Sequence, residues 1–377
     1  MNDPIVSEYS TYGASLSPPV LAVEVNDRCA SRCGHCSYGH ARLDAPPLSL
    51  DRLLGAVRDA HAYGSRVLTV AAREPFLPGA TGRTIAVLQT ATEVGYESLA
   101  AITSARFLPT AREALAKAGL RLASLDVSVD GLGTLHDRLR GVHEWQAIES
   151  GLAPGAYDDV TRSLCASITL QRGNAAEIID LLDWLADGPR VNAALIATVS
   201  MNGLNDPDCA LLPGQFSAAL QAIEHWYQER RPPEMELALE LTPDSVPEIC
   251  SLARDGTLDP EAVGLGPYGF PFLRLASGLP VRVVTGIFSL GRVLRIEASG
   301  RARLSYDDPQ GIGAVPAVDL RHARLRDWLP ATHRSGKVLS VATAAAERRP
   351  EALACPAWPF HLDRCPSHPA EQESSHA

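Results

Sequence analysis

Three cysteines within eight residues are the part of this sequence best suited to chemistry. The segment CASRCGHC places thiols at Cys29, Cys33 and Cys36, and the next cysteine is Cys165. Cysteine thiolates hold iron–sulfur clusters, and a four-iron cluster normally takes four of them. Three thiolates leave one iron open, and an open metal position is typical of a catalytic site. The spacing therefore favours a catalytic iron–sulfur centre.

Two other interpretations of the cysteines stay open on spacing alone. A zinc ion could be held by the three thiolates and completed by His35 or His40. Structural zinc sites usually combine paired two-cysteine modules, and no second module follows here. The thiols could also carry no metal at all.

The elements that position these cysteines follow from the hydrophobic pattern. Short apolar runs predict strands at 19–25, 66–72, 98–103, 121–129, 161–170 and 191–200. Helical patterns lie between and after them, at 48–64, 83–95, 109–119, 144–152, 174–188 and 214–231. Six strand–helix units imply a parallel sheet covered by helices, as an open sheet or a partial barrel. Ligands bind at the C-terminal ends of such strands, where the cysteines lie.

The chain changes character after residue 241. Residues 243–280 are rich in Pro and Gly, and 281–306 predict a β-hairpin with a turn at Ser299 and Gly300. A short helix is predicted at 318–329, and the polar residues after 366 are predicted to be disordered.

Composition excludes several functional classes. The chain has 377 residues, 46% hydrophobic and 21% charged, which is a globular balance for one large or two ordinary domains. Its net charge is −10, whereas nucleic-acid-binding proteins usually carry an excess of basic residues. No apolar run reaches the ~18 residues of a membrane span, and the N-terminus has no secretory signal pattern. We expect a cytoplasmic protein whose cysteines are thiols or metal ligands.

Four motifs in order along the chain resemble the radical S-adenosylmethionine (radical SAM) superfamily. The first is the C-x3-C-x2-C segment after strand one. AREP at 72–75 stands where the family usually has Gly-Gly-Glu-Pro, and TSA at 103–105 where it often has Thr-Asn-Gly. The stretch LDVSVDGLGTLHDRLRG (125–141) is similar to the S-x-D-G…H-D…R-G pattern of the branch with a C-terminal SPASM or twitch domain.

The resemblance implies an α/β fold, a partial (β/α)6 TIM-like barrel with a small C-terminal α+β SPASM/twitch-like domain. The implied division is an N-terminal extension at 1–18, the barrel at 19–242, a connector at 243–280, the C-terminal domain at 281–366 and a disordered tail at 367–377.

The resemblance also implies a cofactor. Cys29, Cys33 and Cys36 would ligate a [4Fe-4S] cluster whose open iron binds S-adenosyl-L-methionine. An external one-electron reductant of the flavodoxin or ferredoxin type would drive cleavage to a 5′-deoxyadenosyl radical. That radical abstracts hydrogen from an unactivated carbon, while the protein supplies position and excludes water.

Five residues match positions near the cosubstrate in the family. His35 would lie by the adenine, and Glu74 would pair with the ammonium through a charge-assisted hydrogen bond. Ser128 and Asp130 share one face at the end of strand four, near the ribose and methionyl end. Arg172 could reach the carboxylate. The alternatives are a surface histidine at 35, a solvated carboxylate at 74 and a turn residue at 130.

One motif departs from the family pattern. Ala72 and Arg73 replace the paired glycines that normally allow the backbone to approach the ligand closely. The side chain of Arg73 either turns away from the site or enters it as an additional cation.

The C-terminal cysteine pattern is incomplete. Ser305 and Trp358 stand where the SPASM pattern has cysteines, and tryptophan cannot ligate iron. We therefore expect no auxiliary cluster. The alternative is an auxiliary cluster held by Cys355 and Cys365 together with other ligands.

Three further cysteines have different expectations. Cys165, inside strand five, is predicted to be a small core residue. Cys209 and Cys250 are candidates for the thiol that returns hydrogen to a carbon radical in epimerising relatives, or they are incidental thiols.

The expected reaction is epimerisation, dehydrogenation or rearrangement of a natural-product substrate, by a radical SAM oxidoreductase or isomerase. The substrate class is an amino-sugar-type small molecule or a short or ribosomal peptide. Few residues precede the first strand, which tilts the expectation toward a small molecule or short peptide. The alternatives are a peptide-crosslinking maturase of ribosomal peptides and a non-catalytic metal-binding relative.

Overall fold

The computed structural model describes residues 19–40, 46–187, 190–201, 204–230, 234–241, 264–265, 271–283, 293–304 and 317–334. The predictions for Cys250, Ser305, Cys355, Trp358 and Cys365, and those for the N-terminal extension and the tail, lie outside these residues.

Seven parallel strands in chain order form the centre of the structure. They are β1 (Val20–Val23), β2 (Val67–Val70), β3 (Ser98–Ser104), β4 (Leu122–Ser128), β5 (Thr161–Leu170), β6 (Ala193–Thr198) and β7 (Glu236–Leu241). Because neighbours in the sheet are also neighbours in sequence, each connection is a strand–helix crossover. The α/β fold class is confirmed, and the strand order is consistent with a partial TIM-like barrel.

Eight described helices accompany the sheet. They are α1 (Leu50–Ala62), α2 (Thr81–Val94), α3 (Leu108–Lys117), α4 (Gly133–Arg140), α5 (Trp145–Gly151), α6 (Ile178–Ala186), α7 (Gln215–Arg230) and α8 (Leu325–Arg334). Gly95 ends α2 in the left-handed conformation, with φ of 93°. Helix α4 was not predicted. None of these helices has the length and apolarity needed to cross a bilayer.

The core lies between the helices and one face of the sheet. Alternation along β5 buries Leu164, Ala166, Ile168 and Leu170 against the helices. The other face, the inner face of the partial barrel, carries smaller and partly exposed side chains. On β4 and β5 these are Ser124, Asp126, Ser128, Ser163 and Ser167.

Strands from the C-terminal part extend the same sheet at both ends. At one end, β10 (Pro280–Val283) pairs parallel with β7 and antiparallel with β9 (Pro271–Arg274), followed by β8 (Gly264–Leu265). At the other, β11 (Val293–Ile296) pairs parallel with β1 and is followed by β12 (Arg301–Arg303) and β13 (Val318–Asp319).

The predicted hairpin at 281–306 is therefore divided. Strands β11 and β12 form its described antiparallel part, with Gly300 at φ of 90° in the turn. Residues 281–283 instead join the opposite end of the sheet. Residues 318–319 are a strand rather than the start of the predicted helix, since they continue the edge beside β12.

Candidate active site

The segment 24–40, which we call the cysteine loop, leaves the C-terminal end of β1 and carries three free thiols. Cys36 donates its amide N–H to the Cys33 carbonyl at 3.2 Å, so a tight turn joins these two cysteines. The Arg32 amide donates to the Arg140 carbonyl at 2.8 Å, which fixes the loop to the end of α4. Cys33 is buried, whereas Cys29 and Cys36 are partly exposed.

Burial dominates the electrostatics of two of these thiols. It raises the pKa of Cys33 to about 12, although the nearby Arg140 cation acts in the opposite direction. Burial also raises the pKa of Cys36, and the hydrogen bond from the Tyr38 amide to its sulfur partly offsets that effect. Metal binding must therefore release protons from these sulfurs, because the thiolate is the ligand.

The donor set of three free thiols on one loop fits an iron–sulfur cluster, whose ligands are cysteine thiolates. Among the described residues, no three His, Cys, Asp or Glu side chains converge on one ion position. A cluster does not need such convergence, because each cysteine binds a different iron. The two histidines proposed for zinc each have one ring nitrogen in a contact: His40 Nε2 lies 3.1 Å from the Cys33 carbonyl oxygen, and His35 Nδ1 lies 2.8 Å from Gln171 Nε2.

Glu74 is held rigidly at the end of β2. Its Oε1 accepts from the Phe76 amide at 3.0 Å and the Thr103 hydroxyl at 2.7 Å, and its Oε2 accepts from the Ser104 amide at 2.9 Å. Burial raises the pKa of Glu74, and these hydrogen bonds partly offset the rise. These donors occupy three of the about four acceptor positions of the carboxylate, and the Ser104 side chain also acts to lower its pKa.

Ala72 and Arg73 adopt the backbone that glycine would adopt without strain. Their φ angles are 70° and 53°, the only positive values at non-glycine residues among those described. The Arg73 side chain turns toward the cysteine loop, where Nη2 donates to the Tyr38 carbonyl at 3.0 Å. Of the two predicted alternatives, the structure supports an additional cation beside the cysteine loop.

Asp130 is completely buried and links three elements. Its Oδ1 accepts from the Thr169 amide at 2.7 Å. Its Oδ2 lies 3.2 Å from Arg140 Nη1 and 3.5 Å from His35 Nε2. Burial lowers the pKa of His35, so the imidazole tends to be neutral, donating from Nε2 to Asp130 and accepting from Gln171 at Nδ1.

Helices α4 and α5 complete this buried network. His136 Nδ1 accepts from the Asp130 amide at 3.1 Å, and its Nε2 donates to Glu144 Oε1 at 3.2 Å. Arg140 Nε lies 3.4 Å from the same Glu144 oxygen. Asp137 Oδ1 accepts two backbone amides at the start of α5. The histidine, aspartate and arginine of the 125–141 stretch therefore each have a defined contact.

The remaining predicted residues lie at the same edge of the sheet. Ser128 ends β4, in register with Ser104 and Ser167. Arg172 donates to the Ala210 carbonyl at 3.0 Å and to Asp208 at 3.1 Å.

Two further cysteines are near this region. A Cβ placed on Gly34 would lie 3.1 Å from Cys209 Sγ, so this thiol packs on the cysteine loop. Cys165 is buried as predicted, but it lies on the inner face of the sheet, in register with Asp126.

Sequence reasoning missed Arg140, Glu144, Gln171 and Tyr38 as parts of this site. Arg140 lies inside the quoted 125–141 stretch, so its position was visible, but its contact with the cysteine loop was not. Gln171 carried no signal, because its partner His35 is 136 positions away, and Glu144 was missed because helix α4, which carries its partners, was not predicted.

Gly141 is a point where the cysteine loop tolerates no side chain. Its φ is 61°, and a Cβ there would lie 2.7 Å from the Arg32 carbonyl oxygen. We expect Gly141→Ala to lower the free energy of unfolding by about 1–3 kcal/mol in urea titrations. Gly82→Ala is the control: Gly82 lies in α2 with open space around it and should be neutral or gain up to about 1 kcal/mol. Equal stability of the two variants would contradict the close approach.

Comparison with known proteins bears on this site. The family model described as the radical SAM superfamily matches residues 23–153. No curated protein matches the sequence.

Three solved structures illustrate the shared fold. Streptococcus suis SuiB bound to the precursor peptide SuiA has a TM-score of 0.61 at 14% identity, covering 82% of this chain and 64% of SuiB. SuiB bound to S-adenosylmethionine has a TM-score of 0.59 at 15% identity, covering 82% of this chain and 65% of SuiB. Native anSMEcpe with bound AdoMet and Cp18Cys peptide has a TM-score of 0.54 at 10% identity, covering 86% of this chain and 83% of anSMEcpe.

The chain thus spans slightly less than two thirds of those two SuiB chains, and at these identities the likeness concerns the fold. The matched region contains Cys29, Cys33, Cys36, Glu74 and Asp130. The radical SAM superfamily model therefore covers the segment that carries these residues, and the solved structures share the fold of the chain.

Proposed function

We propose that this protein is a radical SAM enzyme in which Cys29, Cys33 and Cys36 hold a [4Fe-4S] cluster. When bound, the cluster supplies the electron that cleaves S-adenosyl-L-methionine, and the resulting 5′-deoxyadenosyl radical removes hydrogen from a substrate carbon. The observation that carries the proposal is the placement of three free thiols, Glu74 and Asp130 at one edge of the sheet.

The chain's own residues would bind and orient the cosubstrate. The Glu74 carboxylate would pair with the cosubstrate ammonium through a charge-assisted hydrogen bond, and its bonds to the backbone amides hold it in place. Asp130 acts on the cysteine loop through His35, which is part of that loop, and through Arg140. Ser128 and Arg172 remain proposed cosubstrate contacts, and Cys209, on the cysteine loop, remains a candidate hydrogen donor.

A peptide is the substrate class that we favour. The inner face of β4 and β5 carries serines and Asp126, whose polar side chains can hydrogen-bond to a peptide backbone. SuiB and anSMEcpe, which share the fold, were solved with the precursor peptide SuiA and with the Cp18Cys peptide, respectively. The reaction class follows as epimerisation, dehydrogenation, rearrangement or crosslinking of a peptide residue, with an external flavodoxin- or ferredoxin-type reductant.

Anaerobic reconstitution tests the proposed cofactor. The expected product is a brown protein with about four irons per chain and absorbance near about 400 nm. After reduction it should convert S-adenosyl-L-methionine to 5′-deoxyadenosine. A colourless protein that binds one zinc ion would falsify the enzyme and favour a non-catalytic metal-binding relative.

A deuterium-transfer assay tests the substrate class. Candidate precursor peptides and amino sugars, deuterated at carbon, are incubated with the reduced holoenzyme. Deuterium in 5′-deoxyadenosine from a peptide supports the proposal, and transfer only from an amino sugar overturns the peptide assignment.

A further inference from the structure

Tyr38 lies at the end of the cysteine loop and is contacted from three sides. Its amide N–H donates to the sulfur of Cys36. Its carbonyl accepts from Arg73 Nη2 at 3.0 Å, and the Arg295 guanidinium carbon lies 4.4 Å from the centroid of its ring. One residue thus connects a cluster-ligand sulfur to two arginines from different parts of the chain.

The Arg73 contact exists at a conformational cost. A left-handed backbone is unfavourable for a non-glycine residue, and both Ala72 and Arg73 adopt it. Glycine would remove that cost but would also remove the guanidinium. Strained residues persist where the surrounding structure holds them, and they are concentrated at functional sites. The contact with Tyr38 is what this chain gains from an arginine here.

The Arg295 contact is fixed by the sheet. Arg295 lies on β11, beside Ala22 of β1. Its Nε donates to Glu24 Oε1 at 3.0 Å, and both side chains are buried. A guanidinium held this way over an aromatic face makes a cation–π contact. The C-terminal strand therefore reaches the cysteine loop directly.

We propose that Arg73 and Arg295 are positioning residues that fix Tyr38 and thereby keep its amide N–H directed at the Cys36 sulfur. Neither arginine has to touch the substrate for this role. The inference rests on the proposed function only in treating Cys36 as a cluster ligand; the fixing of Tyr38 itself does not depend on a cluster.

Two consequences follow from this arrangement. The Tyr38 amide should be protected from solvent exchange in the metal-free protein, because opening it requires breaking the contacts on both the carbonyl and the ring. In the holoprotein, hydrogen bonds to cluster sulfurs and nearby positive charge favour the reduced state. Loss of the contacts should therefore make the cluster harder to reduce.

Hydrogen exchange in the full-length metal-free chain tests the first consequence. We expect Arg73→Gln and Tyr38→Leu each to speed exchange of the amide of residue 38 by about tenfold. Tyr38→Phe is the matched control, since it keeps the ring under Arg295 and the carbonyl, and it should stay within about twofold of wild type. Arg295 itself is not substituted, because its loss would leave Glu24 buried without its cation; the tyrosine variants test the ring contact instead. Unchanged exchange in both Arg73→Gln and Tyr38→Leu overturns the proposal.

A redox titration of the reconstituted protein, followed by electron paramagnetic resonance, tests the second consequence. We expect Arg73→Gln to lower the equilibrium constant for reduction about tenfold, a shift of about 59 mV toward more negative potential. Tyr38→Phe should leave the potential unchanged. Faster exchange with an unaltered potential overturns the link to Cys36. If wild type takes up no cluster, the proposed function fails, while the exchange experiment still decides whether the arginines fix Tyr38.

Discussion

Replacing Cys33 by alanine is expected to abolish cluster binding and S-adenosyl-L-methionine cleavage while leaving the fold intact. Cys33 is buried and its pKa is raised to about 12, so the metal-free protein carries a neutral thiol there. A small neutral side chain can be replaced by alanine at a cost of about 1 kcal/mol. The cluster, in contrast, loses one of its three thiolates. Iron per chain should fall from about four to near zero, and 5′-deoxyadenosine should become undetectable.

The matched control for this prediction is Cys165→Ala. Cys165 is equally buried but lies on β5, in register with Asp126 and away from the cysteine loop. It should retain full iron content and absorbance near about 400 nm. Iron and colour that survive in Cys33→Ala, or that disappear equally in Cys165→Ala, would contradict the assignment of the three cysteines. A melting temperature measured without metal separates loss of the cluster from loss of the fold.

The parallel sheet could be predicted because its strands are short apolar runs with helical patterns between them. Helix α4 could not, because its buried positions include His136 and Arg140 as well as Leu135, so it lacks an apolar stripe. The pairing of β11 with β1 was also hidden. It joins residues some 270 positions apart, and nothing in the spacing of either strand specifies its neighbour.

The part of the candidate site that could be predicted is the part whose residues are close in sequence, namely Cys29, Cys33 and Cys36. The contacts that fix it are long-range. Asp130 was predicted beside the ribose, a role that stays a prediction, while its contacts with His35 and Arg140 depend on the fold. The substitution at Arg73 was visible in the sequence, but the contact with Tyr38 that explains its orientation required the structure.

Asp130→Asn is expected to be the most destabilising conservative substitution in the buried network. The amide can still accept from the Thr169 backbone, but its NH2 group faces the Arg140 guanidinium, so two donors meet. Removing one partner of a buried ion pair costs about 3–5 kcal/mol, because the other charge stays buried. Urea titration should show this loss in the free energy of unfolding. Asp159→Asn is the control, since its 3.1 Å pair with Arg112 is exposed and should cost about 0–1 kcal/mol.

The pH dependence of this difference distinguishes a charge effect from a packing effect. Burial acts to raise the pKa of Asp130, but its interactions with His35, Arg140 and His136 and the hydrogen bond from the Thr169 amide outweigh burial and hold the pKa below the usual 3.8. A carboxyl with a depressed folded-state pKa stabilises the protein above its unfolded-state pKa and loses that stabilisation on acidification. The difference in the free energy of unfolding between wild type and Asp130→Asn should therefore be largest at pH 5–7 and should shrink below about pH 3.8. Burial lowers the pKa of His35 from 6.5, so both proteins should lose stability below pH 6.5, where the unfolded histidine takes up a proton. A gap that stays constant down to pH 3 would assign the loss to packing rather than to the Asp130 charge.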